Sequence, residues 1–121
     1  MIRKLALAAL FFAVGSAAAP ASDFNGKWTA QINNPVGVQH YIFEFHADGA
    51  TLTGKATSEM GSADLAEGKI DGDNVSFVET MNFGGNAIRM VYTGKIDGDE
   101  IRFTRRVGDF GIDEFTARRV K

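Results

Sequence analysis

The residues of this sequence with the clearest capacity for chemistry are an acid, a phenol and a guanidinium: Glu79, Tyr92 and Arg105. Each stands in an apolar, strand-like segment and shares a face with apolar neighbours, because alternate residues of a strand point the same way. In an apolar cup, these groups orient the polar head of a small ligand. The residues that we expect to contact such a ligand are Tyr41, Glu79, Met81, Met90, Tyr92, Arg105 and Phe115.

The same two charges also allow a purely structural interpretation. A charge on a buried face is costly unless it is paired, so Glu79 and Arg105 could instead pair across the interior and fix its packing. A small barrel can be filled by its own side chains, and the sequence contains ten Phe. A filled interior without a ligand cavity therefore stays open as an alternative.

One group of outward-facing residues has side chains of the kind that bind metals. His40, Glu44 and His46 share one face of a predicted strand. A metal site needs three or four converging ligands, and the predicted cross-strand neighbours of these residues are threonines. We therefore predict no metal site and no cofactor.

A second group, Asp109, Asp113 and Glu114, lies near a predicted loop. Paired carboxylates hydrolyse glycosides when they are held about 5–9 Å apart, and nothing in the sequence fixes such a spacing. No G-x-S-x-G motif occurs, and neither histidine falls on the inward face. We therefore predict no catalytic residues, and a hydrolase acting on a sugar or small ester remains the lesser alternative.

The elements that must position these residues are short strands separated by Gly, Asp and Asn. The regular spacing and the tight turns predict an all-β fold, an eight-stranded antiparallel up-and-down β-barrel. The predicted strands cover residues 26–33, 38–47, 50–58, 65–71, 74–83, 86–97, 100–107 and 113–120.

An internal repeat predicts how the hairpins are built. GKIDGDNVSF at 68–77 recurs as GKIDGDEIRF at 94–103, with Gly72-Asp73 and Gly98-Asp99 as two-residue loops. A third hairpin is expected to turn at Asp48-Gly49. This arrangement places a strand glycine opposite a phenylalanine three times, which permits strong curvature. The expected pairs are Gly68 with Phe77, Gly94 with Phe103 and Gly54 with Phe43.

The connections predict that the two ends of the barrel differ. The Asp-Gly and Gly-Asp hairpins and both ends of the mature chain share one end, which should be closed. The segments 34–37, 58–64 and 108–112 and the Gly84-Gly85 turn form a looser mouth at the other end. Met60, Phe83 and Phe110 lie in or beside those loops, either as a lid or as an exposed patch for a partner.

The first residues have the order of a secretory signal peptide. Arg3 and Lys4 precede a ten-residue apolar run, which is too short to span a bilayer, and small residues follow it. We expect residues 1–21 to be removed and residues 22–121 to form one domain. The mature protein is then periplasmic or secreted and is not inserted in a membrane.

The charge balance limits the class of partner. Removing the signal lowers Lys plus Arg from 13 to 11 against 15 Asp plus Glu, so the mature formal charge is −4. This balance argues against nucleic acid and against an anionic membrane surface. No cysteine is present, so the domain must be stable without disulfides.

Several motifs resemble those of lipocalin-like, calycin-type barrels. Gly26-Lys27-Trp28 matches a G-x-W start, and Asp48-Gly49 to Gly54, both G-K-I-D-G-D copies and the final F-x-A-x-R match short secreted bacterial proteins of unassigned function. The resemblance implies a calycin barrel in which Trp28 lies at the closed end under an arginine of the last strand. Arg119 fits that role, with Arg118 as the second choice.

The sequence thus favours a non-catalytic, exported barrel that binds a small, largely apolar ligand in its interior through the mouth. A module that contacts a protein or an envelope polymer through a filled barrel is the alternative.

Overall fold

The computed structural model describes residues 23–34 and 37–121, without the side chains of Asn34 and Phe83. The predicted signal segment 1–21 lies outside the described residues. Within these limits no helix is long and apolar enough to cross a membrane. The strands are β1 Gly26–Asn34, β2 Gly37–Asp48, β3 Thr51–Ser58, β4 Gly61–Asp64, β5 Ala66–Asp71, β6 Asn74–Phe83, β7 Asn86–Asp97, β8 Glu100–Val107 and β9 Gly111–Arg119.

These strands form one closed antiparallel barrel. Each strand pairs with its neighbours in the chain, and β1 pairs with β9 to close the ring. β4 and β5 are two parts of one bent strand, since both pair with β3 and only Leu65 separates them. The barrel is therefore eight-stranded and up-and-down, which confirms the predicted fold class.

The two hairpins of the internal repeat turn at the predicted loops. Ile70 faces Val75, and Ile96 faces Ile101. Gly94 lies opposite Phe103, whose ring occupies the space that a Cβ would need. Gly68 and Phe77 form no regular pair, because a β-bulge between Ala66 and Lys69 places both Glu67 and Gly68 opposite Phe77.

The predicted register of the β2–β3 hairpin was wrong. Asp48 pairs with Thr51, so the loop is Gly49-Ala50, and Phe45 rather than Phe43 faces Gly54. Glycine occupies the first loop position in all three hairpins at this end, with positive φ each time, as tight β-hairpin loops require. The shift is two residues, so every side chain keeps its predicted face.

The connections at the opposite end are shorter than predicted. The expected 58–64 loop is instead a tight hairpin, because Ser58 pairs with Gly61 and β4 follows directly. We call this end, with loops 59–60, 84–85 and 108–110, the Arg105 end. The end with loops 49–50, 72–73 and 98–99 is the Trp28 end.

The Trp28 end is closed by the segment before β1. Phe24 and Trp28 are fully buried, and the Trp28 indole N–H donates to the Phe24 carbonyl at 2.9 Å. The Arg119 guanidinium lies 4.3 Å from the centre of the Trp28 ring and donates to the carbonyls of Asp23 and Asn25. Arg118 instead points outward to Glu100.

Aromatic side chains fill the middle of the barrel. The centre of this cluster is the Phe43 ring, whose centroid lies 5.4–6.3 Å from those of six other rings. Close packing at this density leaves the rings in contact with one another rather than with a cavity. The six rings belong to Tyr41, Phe45, Phe77, Tyr92, Phe103 and Phe115.

Candidate functional site

Strand register brings the predicted polar residues together near the Arg105 end. Tyr92 on β7 lies directly opposite Arg105 on β8. Glu79 enters from β6 and Tyr41 from β2, and all four side chains are almost completely buried. Two phenols, an acid and a guanidinium from four strands thus meet inside an otherwise apolar barrel.

Arg105 is the centre of this group, and its five N–H bonds all have acceptors. Its Nε and one terminal nitrogen donate to a single oxygen of Asp113, at 3.2 and 2.6 Å. The other terminal nitrogen donates to the hydroxyls of Tyr41 and Tyr92, at 3.3 and 3.4 Å. The last bond, at 3.5 Å, goes to the side-chain oxygen of Gln39.

Glu79 does not form the direct ion pair with Arg105 that the structural alternative predicted. Tyr92 separates them: its hydroxyl donates to Glu79 Oε1 at 2.7 Å and accepts from Arg105. The charge of Arg105 is balanced by Asp113 instead. We call Tyr41, Glu79, Tyr92, Arg105 and Asp113 the polar layer, in which no buried side-chain polar atom described lacks a hydrogen-bond partner.

Burial suppresses ionisation within the polar layer. Desolvation raises the pKa of Glu79, and hydrogen bonds from Tyr92 and the charge of Arg105 only partly offset it. Desolvation also raises the pKa of Tyr41, and raises that of Tyr92 well above its usual value. Burial in the layer thus disfavours the charged forms of Glu79, Tyr41 and Tyr92 relative to water, while Arg105 and Asp113 form an ion pair.

Asp113 and Gln39 belong to this group, and the sequence analysis missed both roles. Phe115, an expected ligand contact, faces Phe103, whereas Asp113 faces Arg105 across the β8–β9 pair. The signal was available, because Asp113 shares the inward alternation of Phe115, as Gln39 shares that of Tyr41. Asp113 was predicted as the first residue of its strand and was grouped with the carboxylates near the mouth, whereas β9 already begins at Gly111 and Asp113 faces inward within it.

Three apolar side chains follow the polar layer toward the Arg105 end: Met81, Ile88 and Val107. They are only partly buried and pack against the core, and we call the surface that they form the cup. Met81 is the one predicted ligand contact among them. Met90 and Phe115, also predicted contacts, lie deeper, at 3 and 9 % exposure in the core.

The remaining sequence candidates lie on the outer surface. His40 Nδ1 lies 2.6 Å from Oε2 of Glu59, which lies in the turn between β3 and β4. This hydrogen bond lowers the pKa of Glu59 to about 2. In the described part of the chain, no cluster of His, Asp and Glu could hold a metal ion. Met60 and Phe110 are 50 and 80 % exposed, and the side chain of Phe83 lies outside the described residues.

Comparison of the chain with protein-family models, with curated proteins and with solved structures finds no match to any of them. The barrel is compatible with the lipocalin-like resemblance, but no relative found in these comparisons supports that resemblance.

Proposed function

We propose that this protein is a non-catalytic binding protein that takes up a small, largely apolar ligand in the cup at the Arg105 end. The observation that carries the proposal is the position of the polar layer next to three partly buried apolar side chains at the Arg105 end. An apolar wall with a few fixed polar groups at its base is typical of small-molecule sites.

The packing of the core limits how deep the ligand reaches. Rings pack continuously from Phe45 to Phe115, and Arg105 and Glu79 are 3 and 2 % exposed. A ligand therefore rests on the polar layer and contacts Met81, Ile88 and Val107. This position is shallower than the interior site that the sequence favoured.

The hydrogen bonds of the polar layer favour one class of polar head. Arg105 has no N–H left to offer, because all five are bonded. Asp113, whose side chain is 20 % exposed, uses only Oδ2 for Arg105, and among the described residues Oδ1 accepts no bond. A head that donates hydrogen bonds, such as an alcohol or an amine, fits this acceptor better than an anion does.

Export is part of the proposal and rests on residues 1–21 alone. Their basic start, apolar run and small residues support cleavage before Ser22 and a periplasmic or secreted mature chain.

Titration with a fluorescent amine tests the cup. 1-Aminoanthracene has an apolar body and a donating head, whereas 8-anilinonaphthalene sulfonate has an anionic head. We expect the amine to bind and to bind more tightly than the sulfonate. Val107→Trp should block the cup and abolish binding, while the control Val120→Trp, at an exposed position of the Trp28 end, should leave binding intact. Equal binding by both variants would place the probe elsewhere and contradict the proposal.

A further inference from the structure

The polar layer holds two acids but only one base. Its groups that can carry a charge at neutral pH are the carboxyls of Glu79 and Asp113 and the guanidinium of Arg105. Among the described residues, no second cation bonds to the layer. Two ionised carboxylates would therefore face one guanidinium, and a buried charge without a partner is costly.

Glu79 is the carboxyl of the layer that has no cation in direct contact. Arg105 of β8 bonds to Asp113 of β9 at 2.6 Å and reaches Glu79 only through the Tyr92 hydroxyl of β7. Tyr41 of β2 also lies beside Glu79, and its hydroxyl favours the carboxylate. Burial outweighs these contacts and raises the pKa of Glu79, so this residue keeps its proton above the usual range of a carboxyl unless positive charge is added nearby.

Both carboxyls border the cup. Met81 is the next inward-facing residue after Glu79 on β6. A row of cross-strand neighbours leads from Glu79 through Met90 to Val107. Asp113 is 20 % exposed, and among the described residues its Oδ1 accepts no bond. A polar head in the cup can thus contact Asp113, and its charge acts on Glu79 through an apolar region in which water screens charges only weakly.

We propose that the cup selects a cationic head, that of a protonated apolar amine, and that the binding of this head releases a proton from Glu79 to the solvent. This selectivity rests on the proposed function and narrows the class of ligand for the same site. The ammonium donates to Asp113 Oδ1 and offsets the charge of that carboxylate. The charge of Arg105 then acts on Glu79 through Tyr92, and two cations face two carboxylates.

A neutral head such as an alcohol does not change the charge of the layer. It can donate to Asp113, but Arg105 and Asp113 remain paired and Glu79 keeps its proton. An anionic head would add a third negative charge next to Asp113. The charges of the layer therefore rank ligands of one chain length in the order amine, alcohol, carboxylate.

Proton release fixes the direction of the pH dependence. A cation that binds more tightly when Glu79 is ionised lowers the pKa of Glu79 in the complex, so at most one proton leaves on binding. The affinity for the amine should then rise with pH, by at most about tenfold per pH unit, over the range in which the free protein keeps the proton on Glu79. An alkylammonium itself stays charged up to about pH 10, as the lysine side chain does.

Calorimetric titration with octylamine and octanol tests the inference, because the two ligands share a chain and differ in charge. Titrations in two buffers of different ionisation enthalpy give the number of protons exchanged. We expect octylamine to bind about tenfold more tightly than octanol and to release a proton at some pH between about 5 and 8, whereas octanol releases none.

Glu79→Gln and Glu44→Gln form a matched pair of variants, because each removes one acid and Glu44 lies on the exposed outer face of β2. Glu79→Gln should lower the ratio of the octylamine affinity to the octanol affinity about tenfold and should abolish proton release. Glu44→Gln should keep both at the native values. If Glu79→Gln does not fold, the proton release of the native protein decides alone.

The outcomes distinguish a failure of this inference from a failure of the proposed function. If neither ligand binds, or if Val107→Trp binds them as the native protein does, the cup is not the site and both proposals fail. If both ligands bind in the cup with equal affinity, or if octylamine binds without proton release, only the cationic class of ligand is overturned. Proton release that persists in Glu79→Gln would assign the proton to another group and would overturn the role of Glu79.

Discussion

At the scale of single residues, Arg105 decides what the site can do. It contacts side chains from β2, β7 and β9, so it links strands that are not all neighbours. Alternation along the strands predicted that Arg105, Tyr92 and Glu79 face inward together. It could not predict that a phenol would separate the acid from the guanidinium, because that depends on rotamers and side-chain lengths in three dimensions.

The position of Arg105 also changes how the site should be probed. Removing one partner of a buried ion pair typically costs about 3–5 kcal/mol, which is a large share of the stability of a domain this size. Arg105→Ala would leave Asp113 without its partner, so lost binding in that variant would not separate the site from the fold. Blocking the cup at Val107 avoids this ambiguity.

The burial of Glu79 predicts how the stability of the fold depends on pH. Burial raises its folded-state pKa above the ordinary value of 4.5, so between the two values the folded protein holds more protons than the unfolded chain. The contribution of Glu79 to stability is therefore complete below pH 4.5 and is lost as the pH rises through the folded-state pKa.

Glu79→Gln keeps the shape of the side chain but cannot ionise, so its stability relative to the native protein should improve as the pH rises. Urea denaturation between about pH 4 and 8 measures this difference. Glu44→Gln, on the exposed face of β2, corrects for the loss of one acid. If the free energy of unfolding of Glu79→Gln, relative to that of the native protein, stays constant or falls as the pH rises, Glu79 is stabilised as a carboxylate.

At the scale of elements, the sequence predicted which segments are strands and which faces are buried, but not every register. The β2–β3 hairpin shows why: Asp48-Gly49 and Gly49-Ala50 both resemble two-residue loops, and only the position of the positive φ distinguishes them. The bulge near Gly68 was not predictable from the repeat, because Gly68 lies against the Leu52 carbonyl of β3, whereas Gly94 in the other copy lies against the Phe103 ring. A register error of two residues left the predicted faces correct.

The contacts of Arg119 at the Trp28 end predict how much this residue contributes to stability. Arg119→Ala removes the cation–π contact with Trp28 and the hydrogen bonds to Asp23 and Asn25, which should lower the free energy of unfolding by about 2–3 kcal/mol. Arg118→Ala removes only an exposed ion pair and should cost about 0–1 kcal/mol. Urea denaturation of both variants measures the difference. Similar losses in the two neighbours would indicate that Arg119 does not hold the end closed.

At the scale of the whole molecule, the interior of the barrel has two levels. A filled aromatic core supports the fold, and the polar layer separates that core from the cup at the Arg105 end. Strand number and meander topology followed from strand lengths and turn residues. Whether the interior was open could not be predicted, because that depends on how seven aromatic rings pack around one another.

The central claim is that the cup carries a ligand, and native mass spectrometry of protein purified gently from the cells that produce it tests this claim most directly. We expect the native protein to show an additional mass that disappears on unfolding, and the Val107→Trp variant to lack that mass. A clean apo mass for the native protein, or an additional mass that persists in Val107→Trp, would contradict the proposed binding site.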